Sequence, residues 1–115
     1  MRTLLTGASG FLGHYVAREL RARGQDVCAV VRPSSPVPVE LAELDVDLLG
    51  CDLRRPEPEL ARKLERCDAV VHLAAGTSGP ARSRFDATVL ATERLIGAMR
   101  EVGDRKSTRL TPVTQ

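Results

Sequence analysis

Apolar and polar positions alternate between two periods along the chain. Residues 2–7, "RTLLTG", form a short apolar run stopped by glycine, the pattern of a buried strand. In "FLGHYVARELRARG" the period changes: Leu12, Val16 and Leu20 fall at i, i+4 and i+8, while Arg18, Arg21 and Arg23 face elsewhere. That spacing predicts an amphipathic helix, with Gly24 as its C-terminal stop. Residues 26–32, "DVCAVVR", make a second apolar run, ended by the loop signal "PSSPVP". "VELAELD" predicts a short helix, residues 46–53 a third strand, and "PEPELARKLERC" a helix with proline near its start. Residues 68–76, "DAVVHLAAG", read as a fourth strand ending in a small-residue turn. After the loop "GTSGP" comes one long helix over residues 81–103, with Phe85, Val89, Thr92, Leu95, Ile96 and Met99 on one stripe.

Strands alternating with helices predict a parallel sheet with helical crossovers, an α/β fold of about four strands. Four strands are roughly half of a doubly wound sheet, so the expected fold is an incomplete Rossmann-like one. No internal repeat or domain linker interrupts it, and a chain of 115 residues is one domain at most.

Composition narrows the function. Only Phe11, Tyr15 and Phe85 are aromatic, so the core is aliphatic, as suits a Val/Leu/Ala-rich parallel sheet. The same scarcity disfavours single-stranded nucleic-acid binding, which needs stacking platforms. The formal net charge of +2 arises after Gly103, from Arg105, Lys106 and Arg109 against Asp104; the body before it is neutral and suggests no polyanion partner. Cys28, Cys51 and Cys67 are odd in number and lack CxxC spacing, and neither histidine lies at ligand spacing, so buried structural thiols are expected rather than a metal site. With no signal peptide and no membrane-length apolar run, the expected location is the cytoplasm, with no membrane partner.

The chemistry lies in "TGASGFLG", where Gly7, Gly10 and Gly13 separate the first strand from the first helix. Gly7 permits a sharp exit from the strand. Gly10 lets a pyrophosphate approach the backbone without meeting a Cβ, and Gly13, with Ala17 one turn later, lets the helix pack close to the sheet. The N–H groups of Gly10, Phe11 and Leu12 then face the anion, aided by the helix dipole. A tight strand-to-helix turn alone would also want glycine, but the strand before and the amphipathic helix after favour dinucleotide binding.

"TGASGFLG" resembles the TGxxGxxG of the short-chain dehydrogenase/reductase superfamily, in its extended branch of NAD-dependent epimerases and dehydratases. "GCDLRRPEPEL", "DAVVHLAAG" and "TVLATERLIGAMREVG" are similar to three further family segments in the same order. The resemblance covers residues 1–103. It implies that Asp52 and Leu53 sit beside the adenine, and that the strand end from His72 through Leu73, Ala74, Ala75 and Gly76 borders the nicotinamide-side ribose. His72, two residues inside an apolar run, reads by itself as a core histidine, and Asp52 as a loop cap. Thr88 stands where many relatives carry Asn, a departure from the family pattern.

The second strand ends "AVVRPSS", which puts Arg32 where an acid would hold the adenosine ribose 2′-OH. Arginine offers a planar fork for a 2′-phosphate, with Ser34 and Ser35 as added donors, so NADP is the expected cofactor and NAD the alternative. A surface arginine before a turn is the competing reading. The family's catalysis uses a Ser or Thr and a Tyr-xxx-Lys pair. Here Tyr15 is followed four residues on by Glu19, and neither Lys63 nor Lys106 follows a tyrosine at that spacing, so no catalytic residue is assigned. The expected function is the NAD(P)-binding portion of an oxidoreductase, epimerase or dehydratase acting on a small molecule. The alternative is a non-catalytic dinucleotide-binding regulator or sensor.

Residues 104–115, "DRKSTRLTPVTQ", carry no apolar alternation where the family pattern continues into a strand. With suitable codons, Asp104 to Thr114 back-translates to a string resembling a widely used DNA-sequencing adapter with one A missing. These residues are therefore expected to be a disordered, non-native tail on an N-terminal fragment, leaving the fourth strand as a sheet edge. Sequencing the genomic locus tests this. Divergence within a codon or two of Gly103 is expected; a native gene that encodes "DRKSTRLTPVTQ" and then stops contradicts it.

Overall fold

The computed structural model describes residues 1–74, 80–105 and 111–114. Strands β1 (Arg2–Thr6), β2 (Asp26–Val31), β3 (Asp47–Gly50), β4 (Ala69–His72) and β5 (Thr111–Thr114) form one sheet in the order β3-β2-β1-β4-β5, every neighbouring pair parallel. Helices α1 (Phe11–Ala22), α2 (Val39–Ala42) and α3 (Pro58–Glu65) occupy the first three connections. The fourth holds α4 (Ala81–Phe85), a π-helical turn (Asp86–Leu90) and α5 (Ala91–Arg105). This is the expected Rossmann-like α/β architecture. The chain moves outward from β1 to β2 and β3, then returns to the other side of β1 for β4. The resulting switch point between β1 and β4 is where ligands bind in open α/β sheets, beyond the carboxyl ends of the strands.

Period-two alternation divides the sheet's side chains between two cores. Leu4, Cys28, Val30 and Val70 meet Leu60 and Leu64 of α3 and Leu95 and Val102 of α5 on one face. Leu5, Val27, Ala29 and Val31 meet Ala17 of α1 and Leu41 of α2 on the other. Both faces are covered, which is why these strands read as nearly continuous apolar runs. All three cysteines are buried and none forms a disulfide. Burial pushes the Cys28 thiol up to about 12, with the nearby Asp47 carboxylate adding to the shift, so it behaves as a small apolar side chain.

Four details differ from the sequence expectations. The third strand stops at Gly50 instead of Leu53, because Cys51 and Leu53 turn into the core below α3 while Asp52 stays at the surface. The long helix is broken in register by the π-helical turn, which rotates its apolar stripe. Ala91, Leu95 and Val102 become the buried positions, while Phe85, Val89 and Ile96 are exposed. In α1, Gly13 and Ala17 are the buried contacts and Leu12 lies largely in solvent, since only small residues allow so close a helix–sheet approach.

The fourth difference is at the C-terminus. Helix α5 continues to Arg105, and Thr111–Thr114 pairs with β4 in the register Ala69↔Thr111 to His72↔Thr114. The expectations of a bare β4 edge and of a tail without structure are corrected for these residues. "TPVT" has two β-branched threonines and a valine, and its proline is tolerated because β5 is itself an edge strand.

Candidate functional site

Strand β1 leaves the sheet through Gly7, whose φ of +68° lies in the left-handed region. Space demands glycine there as well, since a Cβ would stand 2.7 Å from the Ala74 amide nitrogen and 2.8 Å from the Leu73 carbonyl carbon. Gly13 is more constrained still. Its Cβ would fall 2.0 Å from the Gly7 carbonyl oxygen. The exit of β1, the first turn of α1 and the exit of β4 therefore meet backbone against backbone. Gly10 differs, because a Cβ there would approach, among the described residues, only the Gly7 oxygen, at 3.3 Å, and its backbone is extended with φ −78°. Among the described residues, that single close approach is the one steric reason for glycine at residue 10, and it is far weaker than those at residues 7 and 13.

The Gly10 amide, expected to face an anion with those of Phe11 and Leu12, instead donates to the Gly7 carbonyl at 3.1 Å and closes the loop, so that expectation is corrected for Gly10. Gly10 is also the N-cap of α1, no side chain of the described residues caps that end, and no acidic residue lies in its first turn. The amides of Phe11, Leu12 and Gly13 thus have no partner within the helix and sit at the positive end of its dipole. The Phe11 ring is exposed and meets Tyr15 edge to face, with the Arg18 guanidinium 4.9 Å from the Tyr15 ring centre.

The other expected residues follow the carboxyl ends of their strands. Arg32 comes directly after β2, is exposed, and has no ion-pair partner among the described residues. Its carbonyl accepts the Ser35 amide at 3.2 Å, closing the turn that "RPSS" predicts. Asp52 lies two residues beyond β3. Arg54 folds back on it, with Nε 3.1 Å from Oδ1 and Nη2 3.0 Å from Oδ2, and the Arg54 amide also donates to Oδ1 at 3.0 Å. The guanidinium hydrogen bond holds the Asp52 carboxyl below its usual range. Asp52 is thus the loop cap its sequence context suggested, at the edge where a ligand would lie. Leu53 is buried in the core, so only its backbone can face that edge.

Leu73 and Ala74 follow β4 and lie against Gly7; the expected Ala75 and Gly76 lie outside the described residues. Their anchor is a polar cluster inside the fold. The Leu73 and Ala74 amides donate to Thr6 Oγ1 at 3.1 and 3.2 Å. Thr6 Oγ1 lies 2.6 Å from His72 Nδ1, and His72 Nε2 lies 2.8 Å from Thr92 Oγ1. Thr92 in turn donates to the Thr88 carbonyl inside the π-helical turn. His72 is buried, as expected of a core histidine, and desolvation holds its pKa below the ordinary value. Sequence reasoning missed Thr6 and Thr92. A threonine ending an apolar strand and another on an apolar stripe were the only signals.

Comparison with known proteins places this geometry. Residues 3–110 match the model of the NAD dependent epimerase/dehydratase family. The chain is 37% identical over 109 residues to sterol demethylase protein B of Methylococcus capsulatus, an alignment covering 92% of this chain and 33% of that protein. It is 36% identical over 105 residues to the 2-alkyl-3-oxoalkanoate reductase of Stenotrophomonas maltophilia, covering 90% and 31%. Among solved structures, MoeE5 in complex with UDP-glucuronic acid and NAD superposes with a TM-score of 0.71 at 32% identity, over 90% of this chain and 34% of that one. The UDP-glucose 4-epimerase of Thermus thermophilus in complex with NAD gives 0.70 at 27%, over 90% and 35%. The chain thus spans about a third of the length of the relatives it matches.

The loop itself makes a contrast that can be measured. Gly13→Ala should cost about 3 kcal/mol, because backbone must move to admit the methyl group. Gly10→Ala should cost about 1 kcal/mol or less, since only one carbonyl oxygen need shift by a few tenths of an ångström. Denaturant unfolding of the two variants checks this, and equal losses would contradict the described crossing. A glycine loop that crosses β1, α1 and β4 at the switch point, within a matched region covering most of the sequence, identifies the chain: it belongs to the NAD dependent epimerase/dehydratase family.

Proposed function

We propose that this chain binds NADP(H), as the cofactor-binding portion of an extended short-chain dehydrogenase/reductase that acts on a small molecule as an oxidoreductase, epimerase or dehydratase. One observation carries the reading. The N-terminus of α1, with no side-chain cap among the described residues, stands at the β1/β4 switch point behind a glycine whose Cβ would meet only one carbonyl oxygen of those residues. Gly10 is explained if a pyrophosphate approaches where its Cβ would be, and the Phe11, Leu12 and Gly13 amides supply donors for it. Asp52 and the Leu53 backbone would flank the adenine, and residues 73–76 would border the nicotinamide-side ribose. When bound, the nicotinamide supplies hydride transfer. The 115 residues hold no Tyr-xxx-Lys pair, so the roles assigned to this chain end at binding and orienting the cofactor.

The preference for NADP rests on Arg32. Its guanidinium follows β2 at the ligand edge, exposed and without an ion-pair partner among the described residues, and no carboxylate occupies that position. Asp26, the acid of β2, begins the strand and lies at the opposite edge of the sheet. Solved relatives such as MoeE5 and the Thermus epimerase carry NAD, so the preference is a claim about this chain and is open to direct test.

Titration of NADPH and NADH should show tighter binding of NADPH. Arg32→Asp should weaken NADPH by about 1–3 kcal/mol, roughly five- to 150-fold, through a lost charge-assisted contact and a gained repulsion, and weaken NADH much less. Equal affinities of the unaltered chain for the two cofactors would refute the preference. Loss of both on Gly10→Ala, in a protein that still folds, would support the pyrophosphate position.

A further inference from the structure

The polar cluster beneath the glycine loop has only one arrangement of protons that satisfies every member. A threonine hydroxyl has one proton and two lone pairs. Thr6 Oγ1 accepts from the Leu73 and Ala74 amides, which uses both lone pairs, so its proton goes to His72 Nδ1. The other end gives the same answer independently. The Thr88 carbonyl can only accept, so Thr92 sends its proton there and its oxygen accepts from His72 Nε2–H. His72 is therefore neutral, with its proton on Nε2. With the proton on Nδ1 instead, three donors would compete for two lone pairs on Thr6, and one amide of Leu73 or Ala74 would lose its partner.

We propose that His72 and Thr92 are positioning residues for the dinucleotide loop, acting through a one-way relay that begins at α5 and ends on the backbone of residues 73–74. Thr92 fixes the tautomer of His72. The tautomer fixes the direction of the Thr6 hydroxyl, and Thr6 then holds both amides where β4 leaves the sheet. That is the backbone against which Gly7 is packed, with no room for a methyl group between them. A residue on α5 thereby sets the spacing of two backbone segments at the switch point, although its hydroxyl points into the fold. Desolvation, which opposes a charged imidazole at His72, keeps the relay in its neutral form. The functional part of this proposal rests on the dinucleotide-binding reading above; the proton arrangement does not.

The test uses the full 115-residue chain labelled with ¹⁵N, without cofactor and with NADPH as probe. Two-bond ¹H–¹⁵N correlation should find His72 protonated on Nε2, and the Leu73 and Ala74 amides should be protected from exchange. Thr92→Val removes the acceptor, so Nδ1–H should become populated, one of the two amides should lose protection, and NADPH affinity should fall by about five- to tenfold. Thr92→Ser keeps the hydroxyl and should match the unaltered chain in all three readouts. A proton on Nδ1 in the unaltered chain overturns the relay, as does a folded Thr92→Val protein with unchanged amide protection and affinity. If the Val variant does not fold, the tautomer of the unaltered chain and the behaviour of Thr92→Ser decide. If the unaltered chain binds neither NADPH nor NADH, the cofactor reading fails, and the relay is judged on tautomer and exchange alone.

Discussion

Three backbone segments cross at one point without side chains between them, and the geometry of the candidate site depends on that crossing. The Gly7 carbonyl lies where a Cβ on Gly13 would be, and the Leu73–Ala74 peptide lies where a Cβ on Gly7 would be. Sterics of this kind act as a limit on approach: with alanine at either position the segments must separate. Their contact brings the N-terminus of α1 to the switch between β1 and β4, so amides without a partner inside the helix and the positive end of its dipole stand at the edge where ligands bind. The two faces of the sheet support this arrangement from below. The small residues Gly13 and Ala17 seat α1 on one face, and Leu60, Leu64, Leu95 and Val102 cover the other.

A second constraint is polar. Parallel strands end with backbone amides that need partners once the ladder stops, and a buried amide without one costs about 1–3 kcal/mol. Where β4 ends, Thr6 meets that need for Leu73 and Ala74, and His72 and Thr92 complete its hydrogen bonding from below. The glycines set how near the segments come, and the threonine–histidine cluster sets how they are held. Helix α5 takes part in both the apolar core and this cluster, and the π-helical turn before it supplies the final acceptor.

The fold was legible in the sequence because its signals are local and repeated: apolar runs ended by Gly7 or "PSSP", and a helical period from Leu12 to Leu20. The order of elements then left few parallel arrangements. Gly7, Gly10 and Gly13 were legible as a site because they recur at a fixed spacing between an apolar run and an amphipathic helix, and the structure gives Gly7 and Gly13 their steric reasons. Other features depended on tertiary partners. Leu53 lies next to a surface aspartate yet enters the core, and the π-helical turn leaves Phe85 and Val89 off the buried stripe, with Ile96 on the exposed flank of α5. Strand β5 carries too short an apolar pattern to stand out, and it forms against an edge that β4 supplies. Thr6 and Thr92 look like ordinary strand and helix residues until His72 is placed between them.

The central claim is that the carboxyl edge around β1 and β4 receives a nicotinamide dinucleotide. The most direct measurement is to follow the backbone amide resonances of the ¹⁵N-labelled chain as NADPH is added. The largest shifts are expected at residues 10–13, at Arg32, and at residues 52–53 and 73–74, with the amino edge around Asp26, Asp47 and Asp68 undisturbed. Shifts centred on that opposite edge, or none at saturating cofactor, would contradict it.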